Sequence, residues 1–73
     1  MKLDQWLSQH GVTPEAFGAS LGIRGMSVRR YCSGERMPVP EIVEAISAET
    51  RGKVTVRDLH EQHLAWRKQR RKK

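Results

Sequence analysis

Short apolar segments that end at glycine are the feature that most constrains the fold of this chain. Leu3, Trp6 and Leu7 recur at the i, i+3, i+4 spacing of one helix face, and Gly11 follows where a helix would stop. Three further glycines close later segments in the same way: Gly22, Gly34 and Gly52. The pattern predicts a compact, all-α domain of five short helices.

The second segment carries the clearest start signal for a helix. Thr13 is a favourable N-cap, Pro14 suits the first helical position, and Glu15 complements the positive end of the helix dipole. Val12 and Phe17 occupy the two positions of a hydrophobic staple. We therefore expect this helix to begin directly after Thr13.

Three more helices follow. Residues 26–32 form the third, and residues 39–41 open the fourth. Thr55 and Asp58 make a capping box at the start of the fifth. A short strand over 53–56 is the alternative at this point, because Val-Thr-Val favours β structure. The apolar positions are expected to form one core: Trp6, Leu7, Phe17, Leu21, Ile23, Val28, Tyr31, Ile42, Ile46 and Leu59.

Basic residues are concentrated in two parts of the chain, whose net charge is +6. Residues 67–73 hold six basic and no acidic side chains, whereas residues 1–66 hold eight of each. Within that neutral part, residues 24–36 carry four arginines against one glutamate. We therefore divide the chain into a domain at 1–66 and a basic C-terminal tail at 67–73. The asymmetry indicates a polyanionic partner, of which nucleic acid is the commonest.

The composition excludes several classes of protein. With 73 residues, 37% of them apolar, the chain can form one small core but no enclosed active-site cavity. No segment approaches the roughly 18 apolar residues of a membrane span, and the first residues lack the apolar region of a signal peptide. The single cysteine, Cys32, cannot form an internal disulfide, which favours a reducing compartment.

No residues combine into an evident catalytic or metal site. The chain has no Cys/His or carboxylate pair at a catalytic spacing, and no glycine-rich phosphate loop that follows a strand. His60 and His63 are three residues apart, but no second pair of metal ligands accompanies them. We expect no enzymatic activity, no cofactor and no metal, and we interpret Cys32 as a structural residue.

The middle of the chain has the features that let two helices pack around a tight turn. Gly18 provides a small residue where the helices cross, and Gly22 provides the turn. Apolar side chains can lock the second of these helices onto the first: Phe17, Leu21, Ile23, Val28 and Tyr31. Two short helices in this arrangement form a helix-turn-helix.

This segment resembles the lambda-repressor-like, Cro/cI-type helix-turn-helix family. The resemblance is carried by residues 13–23 (TPEAFGASLGI), Val28, Ser33-Gly34 and Pro38. It is specific over residues 13–38 and extends as a five-helix pattern over residues 3–66. It implies that the helix near residues 25–33 lies in the major groove of DNA, with its N-terminal residues entering first.

The side chains of this helix suit contacts with bases and phosphates. Arg29 and Arg30 can pair bidentately with guanine, and Met26 can touch a thymine methyl group. Thr13 matches a position where a helix start approaches phosphate, and Arg36 suits a second phosphate contact. The expected DNA-binding residues are Thr13, Arg24, Gly25, Met26, Ser27, Arg29, Arg30, Ser33 and Arg36. The tail residues expected along the DNA backbone are Arg67, Lys68, Arg70, Arg71, Lys72 and Lys73.

Two positions depart from the family pattern. Arg24 precedes the groove helix and Val39 precedes the fourth helix, where a small polar cap is usual. Because a lost cap costs about 1 kcal/mol, we expect the first turn of the groove helix to fray. Which of Arg24, Gly25 and Met26 contacts a base therefore stays open.

The resemblance implies a sequence-specific transcriptional regulator, similar to the small Cro-like repressors of phages and prophages. Because one short helix contacts few base pairs, we expect a homodimer, formed in solution or only on DNA, on a palindromic operator. Leu59, His63 and Trp66 form the expected dimer surface, unless the same stripe belongs to the chain's own core. The expected location is the cytoplasm of a bacterial or phage-infected cell.

Two other functions are consistent with the same sequence. The antitoxin of a toxin–antitoxin pair would share this fold and bind its own operator, and co-purification with a second polypeptide would identify it. A nonspecific nucleoid or RNA-binding peptide would use the basic tail, and equal affinity for specific and random duplexes would identify it. The charge of the tail suits nucleic acid better than a toxin, which favours the regulator.

Overall fold

Five α-helices make up the described part of the chain, which in this computed structural model is residues 1–71. They are α1 (Leu3–His10), α2 (Pro14–Leu21), α3 (Gly25–Ser33), α4 (Pro40–Glu49) and α5 (Val56–Arg71). No strand occurs within these residues, so the β alternative at 53–56 is wrong. The all-α class is confirmed. Within residues 1–71, every helix is too short or too polar to cross a lipid bilayer.

The capping residues behave as the sequence predicts. The Thr13 side chain accepts a hydrogen bond from the backbone N–H three residues on, at 3.1 Å. Thr55 and Asp58 form a reciprocal capping box, in which each side chain accepts from the other's backbone N–H at 3.2 and 2.9 Å. Arg24 and Val39 stand at the N-caps of α3 and α4 without any side-chain cap bond.

Helix α4 ends two residues earlier than its glycine stop suggests. Its last residue is Glu49, and the buried Thr50 follows as its C-cap. The Thr50 hydroxyl donates to the Ile46 carbonyl at 2.8 Å and accepts from the Val54 N–H at 3.1 Å. These local bonds compete with continued helix, so Gly52 lies in the loop after α4 rather than at its end.

The core is a single cluster that differs from the expected one at its edges. Its buried side chains are Leu3, Leu7, Phe17, Val28, Tyr31, Ile46, Val54 and Leu59. Trp6, Leu21, Ile23 and Ile42 were expected within it, but they are partly buried and pack against it. Leu3 and Val54 were not expected in the core. Val54 is fully buried because its N–H bond to Thr50 brings the start of α5 over the end of α4.

Helix α5 continues through most of the segment interpreted as a tail. It includes residues 67–71, so this part of the basic segment is helical and continuous with the domain. The composition agrees, because arginine, lysine and glutamine are all good helix formers. Lys72 and Lys73 lie outside the described residues.

Candidate nucleic-acid interface

Helices α2 and α3 pack against each other more extensively than any other pair in the described chain. They come close because Gly18 has no side chain, since a Cβ there would lie 2.7 Å from the Ile23 carbonyl oxygen. Gly22 ends α2 with a left-handed φ of 72°, and the Ile23 N–H then bonds back to the Gly18 carbonyl at 2.9 Å. Gly22 thus makes the turn as predicted, whereas Gly18 contacts the backbone of that turn rather than α3 itself.

The N-terminal ends of α2 and α3 adjoin. A Cβ added at Gly25 would lie 3.0 Å from the Glu15 Cα, so the first turns of the two helices are in contact. Thr13, at the N-cap of α2, is exposed beside them. Each helix start carries a partial positive charge, but the Thr13 side chain already accepts the Ala16 N–H, and the Glu15 carboxylate lies beside Gly25.

The outer face of α3 exposes the side chains expected to contact bases. Met26 is 63% exposed and the Arg29 side chain 65% exposed. Val28 and Tyr31, on the opposite face, are buried in the core. Val28 and Tyr31 are thus inward as expected and Met26 and Arg29 outward, whereas Gly25, Ser27 and Arg30 have intermediate exposure.

Two of the arginines of this surface are paired with acidic side chains. The Arg29 Nη2 lies 2.7 Å from the Glu15 Oε2, and the Arg30 Nε lies 3.5 Å from the Glu35 Oε2. Sequence reasoning treated Glu15 only as a residue of the first turn of α2. Gly25 was the signal for its second role, because a position without a side chain lets α2 approach the start of α3.

The other residues expected to contact DNA differ in whether their side chains are free to do so. Arg24 and Arg36 are exposed. Ser33 is exposed too, but its hydroxyl donates to the Arg30 carbonyl at 3.1 Å and accepts from the Glu35 N–H at 3.2 Å. Ser33 therefore closes the end of α3, and its hydroxyl proton is already used within the chain.

The stripe expected to form a dimer surface is used within the chain itself. Leu59 is only 2% exposed, so its side chain cannot contact a second copy, and that expectation is corrected. The His63 Nδ1–H donates to the Gly34 carbonyl at 2.8 Å, and the Trp66 ring stacks nearly parallel to that of His63. Gln62 adds a bond from its Nε2 to the Cys32 carbonyl at 2.9 Å. Together these contacts join α5 to the end of α3.

The basic end of α5 begins where these contacts finish. Arg67, Lys68 and Arg70 are exposed, and the Arg70 guanidinium lies 5.0 Å from the centroid of the Trp66 ring. This distance suits a cation–π contact. The end of α5 therefore presents its positive charge from a helix that is fixed to the end of α3.

Cys32 is half-buried beside the same contacts. Burial, and secondarily the nearby Asp4 carboxylate, raises the pKa of its thiol to about 11. The thiol is therefore protonated at neutral pH, the form that is inert as a nucleophile and as a metal ligand. Within residues 1–71, no three histidine, cysteine or acidic side chains lie close enough together to hold a metal ion.

Comparisons with models of protein families, with curated proteins and with solved structures gave no match. The features that point to a partner are therefore those of the chain itself. They are the exposed outer face of α3, the start of α2 and the basic end of α5.

Proposed function

We propose that this chain is a sequence-specific, double-stranded-DNA-binding transcriptional regulator of the lambda-repressor-like helix-turn-helix class. The observation that carries the proposal is the outer face of α3, where Met26 and Arg29 are exposed while Val28 and Tyr31 anchor the helix in the core. The major groove of B-form DNA is about 12 Å wide and admits an α-helix. Its phosphates supply the negative charge that the basic surface requires.

In this proposal α3 enters the major groove with its N-terminal end first. Arg29 pairs with guanine and Met26 contacts a thymine methyl group. The start of α2, at Thr13, approaches a phosphate, whereas the Glu15 side chain occupies the start of α3 beside Gly25. Arg36 and the basic end of α5 lie along the DNA backbone and contribute affinity rather than selectivity.

The regulator acts as a Cro-like repressor that occupies its operator in the cytoplasm of a bacterial or phage-infected cell. Occupation requires no enzymatic activity, cofactor or effector domain. Two copies bind half-sites about 34 Å apart, and together they specify enough base pairs for a useful operator. Since Leu59 is buried in the chain's own core, pairing of the copies on DNA does not use that side chain.

The test is a selection of binding sites from random duplexes, followed by measurement of affinity for the recovered duplex and for a scrambled duplex at one salt concentration. We expect a palindromic consensus that binds two copies of the chain. Recovery of no consensus, with equal affinity for both duplexes, would contradict sequence-specific binding. A one-to-one complex on a consensus without a palindrome would instead contradict the homodimer.

A further inference from the structure

The carboxylate of Glu15 ties the start of α2 to the middle of α3. Its Oε2 lies 2.7 Å from the Arg29 Nη2, although both side chains are more than half exposed. The rest of the Glu15 side chain lies against Gly25, where an added Cβ would be 2.8 Å from the Glu15 Cγ. The Glu15 side chain therefore packs against the α3 backbone at Gly25. This packing restricts the positions that its carboxylate can take beside the Arg29 guanidinium.

This ion pair differs from the others in the described chain. The Arg30–Glu35 pair is longer, at 3.5 Å, and lies at the far end of α3. The Arg57–Glu61 pair, at 3.7 Å, lies within the single helix α5. Only the Glu15–Arg29 pair, among those within residues 1–71, joins α2 to α3 on the face that exposes Met26.

A guanidinium held in this way prefers a base to a phosphate. Arginine has five N–H donors in a rigid fork, and a carboxylate at Nη2 leaves donors free for the edge of a guanine. An arginine without such a partner can turn to the nearest phosphate, which binds it equally well at any sequence. The negative charge of Glu15 also disfavours a phosphate at this point.

We infer that Glu15 is a positioning residue for base selection, which directs Arg29 towards a guanine and lowers the affinity of this face for DNA phosphates. The inference rests on the proposed function, because it has meaning only if α3 contacts DNA bases. In this role Glu15 lowers the total affinity of the chain for DNA and raises its selectivity between sequences.

The test is Glu15→Gln, which removes the charge and keeps the length of the side chain. Affinities for the recovered and the scrambled duplex are measured over a range of salt concentrations. We expect tighter binding to the scrambled duplex, with a salt slope steeper by about 0.9, the value of one added phosphate contact. We expect the ratio of the two affinities to fall about three- to fivefold, near the upper limit for an exposed ion pair.

Glu61→Gln is the matched control, because it removes the same charge from an arginine pair on α5. It should leave the ratio of affinities unchanged. In an Arg29→Ala background, Glu15→Gln should also leave that ratio unchanged, because Glu15 acts through Arg29. Thermal unfolding of each variant, followed by circular dichroism, checks that the fold is retained.

The outcomes separate this inference from the proposed function. A wild-type chain that binds both duplexes equally would overturn the proposed function, and the inference with it. A selective wild-type chain whose ratio is unchanged by Glu15→Gln, or is changed equally in the Arg29→Ala background, would overturn the inference alone. A loss of ratio confined to Glu15→Gln in the presence of Arg29 supports it.

Discussion

Gly34 satisfies two constraints at the end of α3 that no other residue type meets. Its φ is 89°, in the left-handed region, and a Cβ there would lie 2.4 Å from the Gln62 carbonyl oxygen and 3.2 Å from the Trp66 Cβ. Gly22 also has a left-handed φ, of 72°, but nothing lies within 4 Å of its Cβ position. A side chain at either position would therefore strain the backbone, but only at Gly34 would it also clash with neighbouring atoms.

We expect Gly34→Ala to destabilise the chain more than Gly22→Ala. The left-handed conformation alone costs about 1–2 kcal/mol in either variant. At Gly34 the methyl group must also displace α5, which adds about 1–3 kcal/mol. Urea unfolding at neutral pH measures both variants against wild type. Equal losses for the two would contradict the close packing of α5 on the end of α3.

The positions of some individual side chains could be predicted from the sequence, and those of others could not. The inward position of Val28 and the outward position of Arg29 follow from helical spacing alone, because adjacent residues of a helix point in different directions. Gly25 indicates that α2 approaches the start of α3, but it does not identify Arg29 as the partner of Glu15, because the two residues are fourteen positions apart and meet only through the geometry of the turn at Gly22.

At the start of α5, the carboxylate of Asp58 makes contacts that depend on its negative charge. The Asp58 Oδ2 accepts hydrogen bonds from the N-terminal ammonium of Met1 and from the Thr55 N–H, both at 2.9 Å. These bonds, the ammonium first, lower the pKa of Asp58 below its ordinary value of 3.8. A carboxylate with a lowered pKa stabilises the folded state above its ordinary pKa, and this contribution is lost as pH falls through the lowered value.

Asp58→Asn should therefore lower the melting temperature at neutral pH, because it removes this stabilising carboxylate. The difference from wild type should shrink as pH falls from the ordinary pKa of 3.8 through the lowered pKa, where Asp58 of the folded chain becomes protonated. Glu44→Gln removes a carboxylate from an exposed position of α4 and provides the control. Melting curves between neutral pH and the acid range test this, and a difference that is independent of pH would contradict the role of Asp58.

The starts of α2 and α5 were predictable, because each has a local cause in its capping residues. Thr13 and the Thr55–Asp58 box cap their helices as expected. The end of α4 was not predictable from its glycine, since the side chain of Thr50 stops the helix first. The length of α5 was missed because a run of like charges was interpreted as a tail, although its residue types favour helix.

For the whole molecule, the position of α5 determines where the positive charge lies. Leu59 belongs to the core, His63 in the middle of α5 bonds to Gly34, and Arg67 and Arg70 follow in the next turns of the same helix. Spacing alone cannot decide whether this stripe serves the core or a second copy, because both uses require the same apolar positions. The packing of residues 1–71 assigns Leu59 to the core.

Replacement of all six basic residues at 67–73 by glutamine should weaken DNA binding without changing its selectivity. Glutamine keeps the helix, and phosphates are alike at every sequence. Six contacts at about 0.9 each limit the change in salt slope to about 5, and we expect about 2–4 because some side chains stay solvated. Affinity against salt concentration measures it. An unchanged slope would mean that this segment does not contact DNA.

The central claim is that the outer face of α3 contacts base edges. The most direct measurement is the affinity of wild type, Arg29→Ala and Arg57→Ala for the recovered and scrambled duplexes at one salt concentration. Arg57 is the control, because it is an exposed arginine paired with Glu61 on α5. We expect Arg29→Ala to lose about 1–3 kcal/mol of binding free energy on the recovered duplex and far less on the scrambled one. Arg57→Ala should leave the ratio of the two affinities unchanged. Equal losses on both duplexes for Arg29→Ala would contradict base contact by α3.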